Sequence, residues 1–171
     1  MKTLTKTAVA ALALTITAAT AKADNIVEIA AADDRFSTLV AAVTAADLAD
    51  TLSGPGPFTV YAPVNDAFAA LPDGTLDTLL KPENKGKLTD ILLYHVDDRK
   101  LTAGMIPKGS NYFKPALTSA RLCITSGADG VTIADSTDET ANVIIADIMA
   151  DNGVIHVIDK VLLPGKRPAC H

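Results

Sequence analysis

The stretch that decides the fold reads Asn152-Gly153-Val154-Ile155-His156-Val157-Ile158-Asp159-Lys160-Val161-Leu162-Leu163-Pro164. Asn-Gly is a typical turn dipeptide, and the residues that follow are mostly aliphatic and β-branched up to a proline, which ends strands. A strand that is apolar on both faces has to be covered on both faces. The stretch therefore predicts a strand in the interior of a sheet or sandwich, running up to Pro164.

The remainder of the sequence places helices first and strands later. Apolar residues with the spacing of one helical face predict helices over 36–43 and 88–95, with a strand over 58–62 between them. From residue 122 onward the period changes to two. This predicts a hairpin of 122–124 with 131–133 and a further strand over 142–149. Helices followed by strands indicate an α+β fold in a single domain.

The first 23 residues have the features of a secretory signal peptide. Lys2 and Lys6 precede an apolar stretch shorter than the ~20 residues that span a bilayer, and Ala21-Lys22-Ala23 is a small-x-small cleavage site. We expect cleavage before Asp24, a domain over 24–164 and a C-terminal tail over 165–171. The mature protein is then secreted or periplasmic and does not insert into a membrane. An uncleaved anchor is the alternative.

The charge balance narrows the possible partners. The full chain carries a formal net charge of −5. Removing residues 1–23 takes away three lysines and no acidic residue, which leaves 12 basic against 20 acidic residues and a net charge of −8. Such a surface disfavours nucleic acid and anionic membranes as partners.

The chain has only two cysteines, Cys123 and Cys170, so disulfides do not build its fold. In an oxidising compartment one bond between them would join the tail to the domain. In the chain-entropy model, a loop of that length stabilises by roughly 4 kcal/mol. We favour this bond, and two free thiols are the alternative.

Three segments, in one order, resemble the signatures of the fasciclin domain family. The first is Phe58-Thr59-Val60-Tyr61-Ala62-Pro63-Val64-Asn65-Asp66-Ala67-Phe68 and the second is Tyr94-His95. The third runs from Asp147-Ile148-Met149-Ala150-Asp151 into the strand quoted first. The resemblance spans 24–164 and implies a fasciclin-like, seven-stranded β-wedge with helices packed along it. It also implies an extracellular adhesion module.

The same resemblance implies candidate contact residues. In animal members of the family, an Asp-Ile pair just before the last strand and the Tyr-His segment are implicated in integrin binding. The corresponding partner-binding candidates here are Asp147 and Ile148, with Tyr94 and His95 near or beneath the surface that they form.

This chain departs from the family pattern at two places. Val64 stands where the family usually has Thr, so we expect Asn65 or Asp66 to accept from the first-turn amides of the following helix. Ile145-Ala146 stands where integrin-binding members carry Glu-Pro. A role in folding the domain is therefore the alternative to partner binding for the Asp-Ile pair.

No catalytic or metal-binding pattern emerges from the polar residues. His95 and His156 lie on apolar faces, which predicts buried, neutral, hydrogen-bonded imidazoles. The acidic residues at 135, 138 and 139 lack the glycine of a calcium loop and predict a solvated acidic loop. The sequence contains no Gly-x-Ser-x-Gly elbow and no glycine-rich phosphate loop. We expect no cofactor, no metal and no enzymatic activity.

The sequence thus predicts a non-enzymatic, exported adhesion or surface-interaction module. Its expected partner is a protein or polysaccharide of a cell surface or envelope, and the module is expected to be a monomer. A strong glycan platform is not expected, because the chain has no Trp; Tyr112 and Phe113, in an apparent polar loop, are the aromatic exceptions. The alternative is a periplasmic carrier of a small apolar ligand such as a carotenoid or lipid.

Overall fold

Helices precede most of the strands along the chain, as the sequence predicts. The computed structural model describes residues 24–137 and 139–171, so the predicted signal peptide lies outside the described residues. The α-helices are α1 (Ile26–Ala32), α2 (Ser37–Ala45), α3 (Ala49–Ser53), α4 (Asn65–Ala69), α5 (Thr75–Leu79) and α6 (Lys85–Tyr94). The strands are β1 (Phe58–Pro63), β2 (Val96–Asp97), β3 (Gly109–Phe113), β4 (Leu122–Gly127), β5 (Gly130–Ala134), β6 (Thr140–Ala150) and β7 (Gly153–Ile158). Short 3₁₀ turns occur at Asp34–Phe36, Pro82–Asn84 and Ala103–Met105.

The seven strands form one mixed sheet in the order β2-β1-β7-β6-β5-β4-β3. β7 lies between β1, with which it is parallel, and β6, with which it is antiparallel. All six of its residues are buried, which confirms the predicted interior strand and the α+β class.

The last strand ends at Ile158, so its predicted extension to Pro164 is wrong. Asp159 still bonds Asn142 of β6: its backbone N–H donates to the Asn142 carbonyl at 3.2 Å, and its carboxylate accepts from the Asn142 backbone N–H at 2.7 Å. Lys160 forms an ion pair with Glu139 at 2.9 Å. Val161 and Leu162 are buried. The chain therefore leaves the strand at two charged residues and remains in the core beyond them.

The sheet separates two apolar cores, because neighbouring residues of a strand point to opposite faces. Val60 of β1 and Ile155 of β7 face the helices, where they pack with residues such as Leu92. Tyr61 and Ile158 face the other core. This second core also receives the inward residues of the remaining strands, including Phe113, Leu122, Ile124, Ile133 and Ala141. The sheet therefore curls around the second core while the helices cover the first.

The predicted cap of α4 is wrong, and Asn65 caps a different helix. The N-cap residue of α4 is Val64, which makes no side-chain cap hydrogen bond. The Oδ1 atom of Asn65 instead accepts from the backbone N–H of Thr38, in the first turn of α2, at 3.1 Å. Its Nδ2 atom donates to the carbonyl of Asp34 at 2.8 Å. Asn65 thus ties the start of α2 to the end of β1.

The C-terminal tail packs on the outside of strands β3 and β4. Cys170 is bonded to Cys123 of β4. The hydroxyl of Tyr112 donates to the carbonyl of Pro168 at 3.0 Å. Tyr112 and Phe113 belong to an edge strand, which corrects the prediction of a polar loop, and Phe113 is buried. Within the described residues, no helix is long and apolar enough to cross a membrane.

Candidate interaction surface on strand β6

Strand β6 is longer than either of its neighbours, and this leaves part of it without a second partner. Its first residues pair with β5, at the positions of Thr140, Ala141 and Asn142. Of residues 143–150, positions 143, 145, 148, 149 and 150 pair with β7, and none pairs with β5, so in the described part of the chain their other edge has no strand partner. We call residues 143–150 the free edge of β6. An edge of this kind is a template for pairing with another chain.

Large apolar side chains are exposed along the free edge. The exposed fraction is 52% for Ile144, 38% for Ile145 and 52% for Met149. Ile145 is the partner of Val157 and Met149 is the partner of Val154. Because Val157 and Val154 point to opposite faces of the sheet, apolar side chains are exposed on both faces at this edge. Such exposure marks interaction sites in soluble proteins.

The free edge is irregular around Asp147. The register with β7 shifts between Ile145 and Ile148, which places a bulge there. Asp147 adopts a φ of 59°, a left-handed conformation that Asp and Asn tolerate better than most residues. Its Oδ1 atom accepts from the backbone N–H of Ala103 at 2.8 Å, at the first residue of a 3₁₀ turn. The exposed carboxylate is therefore held in place by the fold.

His156 supports Asp147 from within the sheet. Its Nδ1 atom accepts from the backbone N–H of Asp147 at 3.3 Å, and its Nε2–H donates to the carbonyl of Leu101 at 2.6 Å. The ring stacks on Tyr61, with 5.8 Å between centroids. One nitrogen accepts and the other donates, so the imidazole is neutral and buried, which confirms the structural role predicted for it.

His95, at the C-terminal end of α6, also donates one hydrogen bond and accepts another. Its Nδ1–H donates to the carbonyl of Ile91 at 2.7 Å, and its Nε2 accepts from the backbone N–H of Leu162 at 2.8 Å. Burial lowers the pKa of His95 to about 4, although the hydrogen bond to Ile91 and the charge of Asp135 act in the opposite direction. The ring is therefore neutral at pH 7.

Neither Tyr94 nor His95 reaches the surface, which confirms the burial predicted for His95 and rules out direct contact of either side chain with a partner; their place beneath a contact surface stays a prediction. Tyr94 is 0% exposed and His95 is 2% exposed. The Tyr94 hydroxyl donates to the carbonyl of Arg121 at 2.8 Å. Ile148 is half-buried against the helix-side core. Of the four candidates, Asp147 is the one that is exposed, and Ile148 contributes only part of its surface.

The predicted solvated acidic loop also needs correction, because Asp135 is fully buried. Its carboxylate accepts from the backbone N–H of Thr137 at 2.9 Å, from the Thr137 hydroxyl at 2.6 Å and from the backbone N–H of Leu163 at 2.9 Å. Asp135 therefore fastens the segment after β7. Over the residues that the structure describes, no cluster of three or more His, Cys, Asp or Glu is arranged to hold a metal ion.

An apolar cavity lies between the helices and the sheet, where a carrier would hold its ligand. It is lined by side chains that include Ile26, Leu39, Val60, Leu92 and Ile155. Its volume is about 30 Å³. Small-molecule sites usually measure about 300–1,000 Å³. This cavity is too small for a carotenoid or a lipid chain.

Comparisons with known proteins agree with this fold. The fasciclin domain model matches residues 34–164. Protein sll1483 of Synechocystis sp. (strain ATCC 27184 / PCC 6803 / Kazusa) is 52% identical over 147 residues, which cover 86% of this chain and 77% of that protein. The uncharacterized protein sll1735 of the same organism is 49% identical over 146 residues, or 82% of this chain and 98% of that protein.

The fold also resembles that of a solved structure. The FAS1 domain pair of the insect cell adhesion molecule Fasciclin I aligns with a TM-score of 0.60 at 20% sequence identity. The alignment covers 75% of this chain and 45% of that chain. At this identity the likeness concerns the fold alone.

Proposed function

Because this chain belongs to the fasciclin domain family, we propose that it is a non-enzymatic adhesion module, secreted or periplasmic, that binds a protein or polysaccharide of a cell surface or envelope. The observation that carries the proposal is the free edge of β6. It combines an edge without a strand partner in the described chain, exposed Ile144, Ile145 and Met149, and one fixed carboxylate, that of Asp147.

The chemistry of the free edge suits a protein partner best. An extended segment of a partner can add a strand at a sheet edge, where main-chain hydrogen bonds provide affinity and side chains provide specificity. Ile144, Ile145 and Met149 supply apolar contact area, and the bulge at Asp147 limits which segments fit. Proteins use bulges and charges on edge strands to prevent indiscriminate pairing. Asp147 therefore limits which partner segments can pair with the free edge and also opposes pairing between two copies of this protein.

The proposal is tested by adhesion of the purified protein, coupled to beads, to cells and envelope fragments of its own host. Met149→Gln should reduce bead retention, because it removes apolar contact area from the free edge. Met105→Gln is the comparison variant, because Met105 is 60% exposed on the 3₁₀ turn that contacts Asp147 through Ala103, beside the free edge and not on it. Met149→Gln should cause the larger loss of retention. Equal retention of wild type and the Met149 variant would contradict the proposal.

Asp147→Asn provides a second arm of the same assay. Asn keeps the left-handed conformation and an oxygen that can accept from Ala103, so the bulge is preserved while the charge is lost. A fall in adhesion with an unchanged circular dichroism spectrum would assign the charge itself to binding. Unchanged adhesion would limit Asp147 to a structural role.

A further inference from the structure

Two of the four arginines lack an ionic partner and share one pocket. Arg35 pairs with Asp33, and Arg99 pairs with Asp97. Arg121 and Arg167 form no ion pair with any residue that the structure describes. Both line a surface pocket of about 280 Å³, together with Thr118, Ser119, Ala120 and Gly165. In a chain with more acidic than basic residues, two unpaired guanidinium groups at one place call for a physical reason.

Arg121 is held by its own backbone surroundings. One terminal nitrogen of its guanidinium donates to the carbonyls of Ala120 at 2.7 Å and Thr118 at 3.2 Å. The carbonyl of Arg121 accepts from the buried hydroxyl of Tyr94 at 2.8 Å. These contacts occupy one of its three nitrogens. The other two make no hydrogen bond within the described chain, so they remain available as donors.

Arg167 is held in place by contacts of the C-terminal tail with strand β3. Its guanidinium carbon lies 3.9 Å from the centre of the Tyr112 ring. Stacking uses the face of the guanidinium group and leaves its N–H groups, which lie in the plane, available. Tyr112 also donates to Pro168, and the disulfide of Cys170 with Cys123 fixes the tail just beyond. The position of Arg167 therefore depends on the disulfide.

Two cationic side chains that line one pocket without an ionic partner favour the binding of an anion there. Guanidinium forks match the planar, two-oxygen geometry of a carboxylate, and preorganised donors lose little entropy on binding. Thr118 and Ser119, which also line the pocket, carry hydroxyls of the kind that hydrogen-bond with sugar hydroxyls. The volume of about 280 Å³ lies just below the usual range of small-ligand pockets.

We propose that the pocket lined by Arg121 and Arg167 binds a carboxylate of an acidic saccharide, such as a uronic acid unit. The net negative charge of the chain disfavours dense polyanions and anionic membranes, whereas a short acidic saccharide, with one carboxylate per sugar ring, meets less of that repulsion. This site goes beyond the adhesion proposed above. It shares no residue with the free edge of β6, so the two proposals can fail separately.

The experiment is calorimetric titration of the full mature protein with trigalacturonate. The neutral trigalactoside of the same linkage and inorganic phosphate are the comparison ligands. Each variant, Arg121→Gln and Arg167→Gln, should weaken trigalacturonate binding by about 10- to 100-fold, the usual range for a charge-assisted bidentate contact. Arg35→Gln is the matched control and should change the affinity less than twofold, because Arg35 is already paired with Asp33.

The disulfide gives an independent readout of the same site. Mild reduction, or Tyr112→Leu in the oxidised protein, should weaken trigalacturonate binding as Arg167→Gln does, because each change removes a contact that holds Arg167. Three results would overturn the proposal: no saturable binding, wild-type affinity in the two arginine variants, or phosphate binding at least as tight as that of trigalacturonate.

Discussion

The imidazole of His95 accepts a hydrogen bond from the backbone N–H of Leu162, 2.8 Å from its Nε2 atom, across 67 residues of sequence. The ring can accept only while it is neutral. Protonation would turn Nε2 into a donor that faces another donor, in a site that is 2% exposed. The neutral histidine thus fastens the segment after β7 to the end of α6.

We expect stability to fall as the pH is lowered from about 6.5 to about 4. Burial lowers the folded-state pKa of His95 to about 4 from an ordinary value of 6.5. The unfolded chain therefore binds the proton first, and the stability present above pH 6.5 is lost through this window. The full effect of this one group is about 3 kcal/mol. Urea unfolding at a series of pH values measures it.

A nitrogen-15 NMR titration of the imidazoles assigns this loss to His95. Its Nε2 should remain unprotonated down to about pH 4. Ordinary titration of His95 near pH 6.5 would contradict the burial argument.

Asn65→Ala should destabilise the domain by about 1 to 2 kcal/mol, because it removes the cap of α2 that Asn65 supplies from a distant position. Urea denaturation checks the change. Asp66→Ala is the control, since the side chain of Asp66 is exposed and makes no cap hydrogen bond. A larger loss of stability in the Asp66 variant would support the capping of α4 that the sequence predicts.

Gly153→Ala should cost about 3 kcal/mol or more, as overpacked sites do. A Cβ atom at this position would lie 2.0 Å from the carbonyl oxygen of Phe58, within the parallel pairing of β1 with β7. Gly127→Ala is the matched control, because a Cβ there has nothing within 4 Å. Thermal melts of the two variants measure the difference, and similar melting temperatures would refute the close approach.

Asp147→Asn should increase self-association of the protein at high concentration. The free edge of β6 would then lose the charge that opposes pairing between two copies, while Ile144 and Met149 remain exposed. Sedimentation velocity over a range of concentrations measures the dimer fraction. The exposed Asp151→Asn variant controls for the change in net charge. Equal self-association of the two variants would exclude a specific role for Asp147.

Asp147→Ala should lower stability by about 1 to 2 kcal/mol, because Ala tolerates the left-handed conformation poorly and cannot accept from Ala103. Asp147→Gly should recover the conformational part of that loss, since glycine adopts a φ of 59° readily. Chemical denaturation of both variants separates the contribution of the backbone conformation from that of the hydrogen bond to Ala103. Equal losses would place the whole effect on the hydrogen bond.

Much of the fold follows from the sequence because local patterns carry it. Unbroken aliphatic residues predict the buried strand β7, and period-two alternation predicts the β4–β5 hairpin. The buried state of His156 also followed from its position among Val154 and Ile158. Long-range contacts were not accessible in this way. Asn65 caps a helix that precedes it by 27 residues, and no local pattern distinguishes that role from an ordinary cap.

The candidate site likewise combines features that the sequence predicts with features that only the tertiary structure shows. The sequence identifies Asp147 and Ile148, but it cannot show that β5 stops short beside them and leaves the edge of β6 unpaired. Nor can it show which groups Tyr94 and His95 bond, because these lie in distant segments, just before β4 and after β7. Arg121 and Arg167 lie 46 residues apart in sequence, and they line one pocket because the C-terminal tail packs on β3 and β4, where Cys170 is bonded to Cys123.

The sequence by itself determined the class of fold and the interior position of β7, because hydrophobic periodicity and turn residues act over a few neighbouring positions. The family followed from the resemblance of three segments to its signatures. Only the tertiary structure decided which side chains are exposed and which polar groups meet. Exposure and pairing depend on where strands end and which distant segments cover them. Both the free edge of β6 and the pocket lined by Arg121 and Arg167 result from these long-range arrangements.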